Sequence, residues 1–91
     1  MIWNYRVVKK QSGDECHFQI YEVYYRGKDT SLKNIAYMSQ TPIAPFGASK
    51  KELKHDLRWM KRAFDLPVID YEKLCKKKGW NPASPDFNNR G

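Results

Sequence analysis

The sequence predicts an α+β fold: a two-layer domain in which a three- to four-stranded antiparallel sheet, laid down in the order β-β-β-α, is covered on one face by one main helix. Three observations predict it. Alternating runs rich in aromatic and β-branched residues fill the first half of the chain, Pro42 and Pro45 then interrupt them, and one amphipathic stretch of helical period follows. At 91 residues the chain is long enough for a single modest core and too short for two.

The first strand is residues 3–9, where Trp3, Tyr5 and Val7 fall on one side and Asn4, Arg6 and Val8 on the other, a period of two that puts one face on the core. The segment QSGDE at 11–15 is a turn, so a hairpin follows. The second strand, residues 16–26, is rich in the residue types that suit a pleated surface. Its pattern is double. Phe18 and Ile20 share a face while Val23 and Tyr25 lie on the opposite parity, so either both faces are covered or a bulge near Tyr21 and Glu22 resets the register. After the turn GKDTS, residues 34–40 form a third strand antiparallel to the second, and Pro42 and Pro45 end the ladder by removing backbone donors.

Ser49 with Glu52 three residues on is a capping box that starts the main helix at about Lys50. Leu53, Leu57, Met60 and Phe64 recur at intervals of four, three and four, the apolar stripe of a helix lying on a sheet. The expected core is therefore Trp3, Tyr5, Val7, Phe18, Ile20 and Ile35 or Ala36, closed by that stripe. Pro67 ends the helix by pushing Leu66 out of the α region. Val68 and Ile69 make a short fourth strand or cover one end of the core. Asp70 is placed to cap a second short helix, YEKLCKKK, with Leu74 buried and Gly79 terminating it. Residues 1–80 form the expected domain, and 81–91, without periodicity, a mobile tail.

Composition narrows the function classes. No apolar run approaches the ~18 residues needed to span a bilayer, and the start of the chain has no leader pattern, so a cytoplasmic location is expected. Cys16 and Cys75 are too few for a disulfide framework and read as reduced thiols; with His17 and His55 they lack the CxxC or HxxxH spacing of a zinc site. Neither a GxSxG elbow, a Cys with a base partner nor a Gly-rich phosphate loop occurs, so the expectation is a non-enzyme without cofactor or metal. The net charge of +7 favours anionic partners, and five of the cations, Lys51, Lys54, Arg58, Lys61 and Arg62, share one side of the main helix, with Trp59 and His55 at its margin.

Three resemblances bear on this. The segments WNYRV (3–7), EVYY (22–25) and PVID (67–70) resemble those of a family of small bacterial proteins of about this length that carries no assigned activity. The element order, with Gly47 before the helix, is similar to the partial RNase H-like fold of HicB-type antitoxins, which implies a protein-binding module; the chain after Asp70 is too short for the DNA-binding segment those proteins often append. The segments HFQIYEVYYRGK and SKKELK resemble the second strand and last helix of double-stranded RNA-binding domains, which implies phosphate contacts from Lys50, Lys51 and Lys54. From that family the chain departs by lacking the first helix and by carrying Asp56, Leu57 and Trp59 where small alanines are usual.

The expected function is thus non-catalytic binding, with a protein or a second copy of the chain as partner. The contact patch is expected at Tyr21, Val23 and Tyr25 on an uncovered sheet face. The alternative is nucleic-acid binding through Lys50, Lys51, Lys54, Arg58 and Lys61.

Overall fold

The computed structural model describes residues 2–81. Strand β1 (Ile2–Ser12) and strand β2 (Glu15–Tyr25) form a long hairpin, paired in unbroken antiparallel register from Ile2 opposite Tyr25 to Ser12 opposite Glu15. A short 3-10 turn (Leu32–Asn34) leads into β3 (Ile35–Met38), antiparallel to β2. Helix α1 (Lys50–Lys61) runs on into a 3-10 turn (Arg62–Asp65), and β4 (Ile69–Asp70) is followed at once by helix α2 (Tyr71–Lys78). The expected mobile tail, apart from Asn81, lies outside the described residues.

Among the described residues the fold is α+β, with a mixed four-stranded sheet in the order β3-β2-β1-β4 and two helices. Two expectations are corrected. The sheet is not purely antiparallel, because β4 pairs parallel to β1, Val8 opposite Ile69 and Lys9 opposite Asp70. Strand β3 already runs parallel to β1, both being antiparallel to β2, and α1 carries the chain from one edge of the sheet to the other without reversing it. Nor does one helix cover one face. The two helices lie on opposite faces, since α2 packs with Val8 of β1 and the end of α1 packs with Tyr5 and Val7, which have the other parity.

The face under α2 is the larger core. Val8, Tyr21, Val23, Tyr25, Ile35 and Met38 meet Ile69, Tyr71, Leu74, Cys75 and Trp80 there. Of the two explanations for the double pattern of β2, coverage of both faces is the one found, and the β1–β2 register has no bulge. The irregularity falls between β2 and β3, where Tyr24 faces Tyr37 but Tyr25 faces Ile35, so Ile35 and Met38 both reach the same side. Gly79 leaves α2 in the left-handed conformation (φ 74°), and the amide of Trp80 then bonds the Cys75 carbonyl at 2.9 Å, turning the Trp80 ring back into the core.

Buried among these is Arg6, only 4% exposed. Its Nη2 donates to the Pro67 carbonyl at 2.7 Å and its Nη1 to the Tyr25 hydroxyl at 3.0 Å, which in turn donates to Asn4 Oδ1 at 2.8 Å. The guanidinium so ties the approach to β4 onto the edge of β1, while its Nε has no partner among the described residues.

Helix α1 starts where the capping box places it: the Glu52 amide donates to Ser49 Oγ at 3.2 Å. Gly47 lies so close to the helix that a Cβ there would collide with the backbone of Glu52 and Leu53. The stripe, however, does not face the sheet. Met60 and Ala63 are the buried residues of this segment, while Leu53, Leu57 and Phe64 are exposed, as are Trp3 and Phe18 of the expected core.

Two clefts flanking helix α1

Asp56 explains the rotation of α1. Its Oδ1 accepts from the Tyr5 hydroxyl at 2.7 Å and its Oδ2 from the Phe46 amide at 2.9 Å, so the carboxylate side of the helix is held on the sheet. On a helix of 3.6 residues per turn, Leu57 and Phe64 then stand roughly 80° away from the mean direction of Asp56, Met60 and Ala63. The apolar stripe becomes a flank of the helix.

On that flank a furrow of about 720 Å³ opens between α1, the Phe18 end of β2 and residues 42–45. Phe64, Phe18 and Leu57 are 69%, 60% and 49% exposed there, and Ile20 and Ile43 are half-buried at its base, with the Ile43 amide bonded to the Ile20 carbonyl at 2.8 Å. Lys61 is the charged residue of the lining, and Lys9 stands across the hairpin from Phe18.

A second cleft, about 850 Å³, lies on the other flank, over the opposite end of the β1–β2 pair. Its apolar walls are Trp3, Trp59, Tyr5 and Leu66; its charged groups are Glu22, Asp56, Asp65 and Arg62. Trp3 meets Tyr5 edge-on with centroids 5.1 Å apart and lies 6.2 Å from Tyr24, which stacks on Tyr37 at 4.7 Å. Arg62 sits over the Trp59 ring at 4.7 Å, and Trp59 Nε1 donates to His55 Nε2 at 2.7 Å. The Tyr24 hydroxyl donates to Glu22 Oε1 at 2.9 Å; desolvation first, then this bond and the carboxylate's charge, push the phenol up to about 12. Burial, the bond to Asp56 and the charges of Asp56 and Glu22 push Tyr5 up in the same way.

The residues expected at a partner surface are placed differently. Tyr21, Val23 and Tyr25 are almost wholly buried beneath α2, which corrects the expectation that they lie on an uncovered face. The short helix supplies the missing cover, and the spacing of Tyr71, Leu74 and Cys75 at i, i+3 and i+4 was the available signal for it. The alternative set, Lys50, Lys51, Lys54, Arg58 and Lys61, is exposed on α1, and none of the five makes an ion pair among the described residues. Cys16 is exposed and Cys75 buried, and no cluster of three or more metal-ligating side chains occurs among the described residues. No described helix is long and apolar enough to cross a membrane. Both clefts depend on how far α1 is turned, which the local pattern does not encode; Asp56, polar on the otherwise sheet-facing side, was the one visible sign.

Compared with known proteins, the chain matches no family model, no curated protein and no solved structure.

Proposed function

We propose that this chain is a small non-catalytic binding module whose partner is another protein, docked in the furrow beside α1 through apolar anchors and acidic side chains. The observation that carries this reading is the exposure of Phe18, Leu57 and Phe64 around one furrow. Such side chains add little to the fold where they stand, and on a partner they bury apolar area at roughly 25 cal/mol per Å². Charge selects the partner. The furrow lining contains Lys61 and no carboxylate, Lys54 and Arg58 continue the cationic side of α1, and the chain carries +7. A second copy would bring the same sign of charge, so an acidic segment is the better complement.

The test uses fluorescently labelled amphipathic peptides of matched apolar content whose remaining positions are acidic, neutral or basic. Anisotropy titrations are expected to favour the acidic peptide, to weaken with salt, and to lose about tenfold in affinity in Leu57→Ser, with an unchanged melting curve. Equal binding of all three peptides, or no effect of Leu57→Ser, overturns the reading. So does a homodimer in sedimentation that Leu57→Ser dissolves, which makes a second copy the occupant.

A second reading rests on five cations of α1, Lys50, Lys51, Lys54, Arg58 and Lys61, that make no ion pair among the described residues. Under it duplex RNA outcompetes the acidic peptide, and replacing Lys50, Lys51 and Lys54 by Ala abolishes RNA binding while leaving Leu57→Ser without effect.

A further inference from the structure

The cleft on the other flank of α1 has a different chemistry. Of the chain's ten acidic residues, three converge on it, against one guanidinium, although the molecule as a whole is basic. The half-buried carboxylates of Glu22 and Asp56 are oriented by neutral donors, the hydroxyls of Tyr24 and Tyr5 and the amide of Phe46, which hold their position without cancelling their charge. Asp65 is exposed and makes no hydrogen bond or ion pair among the described residues. One of its two indoles, Trp59, already carries a cation on its face, the cleft's own Arg62. The other indole, Trp3, is about half exposed and is held by edge contact with Tyr5 rather than by a cation.

We propose that this cleft is a binding site for a small organic cation of the alkylammonium class, its charged head seated against Trp3 and faced by Glu22 and Asp65. An indole presents a negative face that attracts a cation stripped of water, and a methylated ammonium gives up water more readily than a bare one. A volume of about 850 Å³ lies within the range of small-molecule sites, and unlike the furrow beside Phe18 this cleft sets a few polar and charged groups among its aromatic walls. Among the described residues no lysine lines the cleft, and charges farther off are screened over about 8 Å at physiological ionic strength while the cleft carboxylates act at contact. The phenols of Tyr5 and Tyr24 are raised by desolvation first, and in addition by the neighbouring charges of Asp56 and Glu22 for Tyr5 and of Glu22 for Tyr24. This inference is independent of the furrow, which lies across the helix.

The probes are choline, its uncharged carbon isostere neohexyl alcohol, benzoate, and a short peptide bearing one trimethyllysine. Each is titrated into the full chain by calorimetry and by tryptophan fluorescence. Choline is expected to bind saturably and about tenfold more tightly than its isostere, and benzoate not to bind. The double variant Glu22→Gln with Asp65→Asn, which keeps the acceptor for Tyr24, is expected to weaken choline about tenfold with an unchanged melt. Trp3→Leu is expected to weaken choline about tenfold by calorimetry, and Leu57→Ser to leave choline binding intact. Equal binding of choline and its isostere, parental affinity in the double variant, or no saturable binding overturns the proposal. Tighter binding of the peptide than of choline, lost in the same variants, overturns the assignment to a free small molecule. A single-stranded oligonucleotide that binds while choline does not overturns it in favour of base stacking on Trp3, Tyr24 and Tyr37.

Discussion

Asp56 and Leu57 are neighbours in the chain, and the structure reverses the roles their types suggest. The carboxylate turns toward the sheet because two donors, the Tyr5 hydroxyl and the Phe46 amide, satisfy it there, and the leucine is carried out to solvent. Leu57 was readable as apolar and at helical spacing, but not as exposed, since the Tyr5 donor lies 51 residues from the Asp56 that it turns to the sheet and the Phe46 donor lies in a loop without periodic pattern. The consequence is measurable. Met60→Ala is expected to cost about 2 to 4 kcal/mol, as for a buried side chain that leaves a cavity, and Leu57→Ala less than about 1 kcal/mol. Urea melts of the two variants compare them directly; equal losses would mean that Leu57 is buried after all.

At the scale of elements, the start of both helices and the end of α2 were legible because caps are local, whereas the expected run of α1 to Phe64 gives way after Lys61 to a 3-10 turn. Ser49 accepts from the Glu52 amide and Asp70 from the Lys73 amide, each three residues on, and Gly79 takes the left-handed conformation that closes α2. Only the serine half of the expected capping box forms, as the Glu52 carboxylate makes no return bond among the described residues. Ser49→Ala is expected to lower stability by about 1 kcal/mol, and Gly79→Ala by about 1 to 2 kcal/mol because a Cβ disfavours that backbone conformation. Thermal melts would show it, and an unaffected Ser49→Ala protein would place the start of α1 elsewhere. The faces of the elements were less legible than their ends. The short α2 covers the larger core, whereas the longer α1, with the clearer stripe, covers less, because burial follows where the crossover and the β4 pairing deliver each helix.

At the scale of the whole molecule, its tyrosines couple the fold to alkaline pH. Tyr5, Tyr24 and Tyr71 are all raised, chiefly by desolvation, from an ordinary value of 10.0, Tyr24 to about 12. Below pH 10 both folded and unfolded phenols hold their protons and the full contribution is present. Above it the unfolded chain releases protons that the folded one keeps, so stability falls as pH rises toward 12. The buried Cys75 thiol, raised from 9.0, starts the loss at lower pH, and Lys78, lowered by burial, opposes it. Denaturant midpoints measured from pH 9 upward are expected to fall along this course, less steeply in Tyr24→Phe; a midpoint independent of pH would contradict the burial of these phenols. The sequence by itself determined the α+β class, the hairpin, the start of each helix, the stop of α2 and the basic balance, since each rests on period, turn chemistry or charge within a few residues. Only the tertiary structure decided which way each element faces: that Tyr21, Val23 and Tyr25 are core, that β4 is parallel, and that α1 leaves an apolar furrow on one flank and an acidic aromatic cleft on the other. These depend on contacts between residues remote in the chain, Tyr5 with Asp56 and Arg6 with Pro67 among them, and local pattern carries no record of such distances.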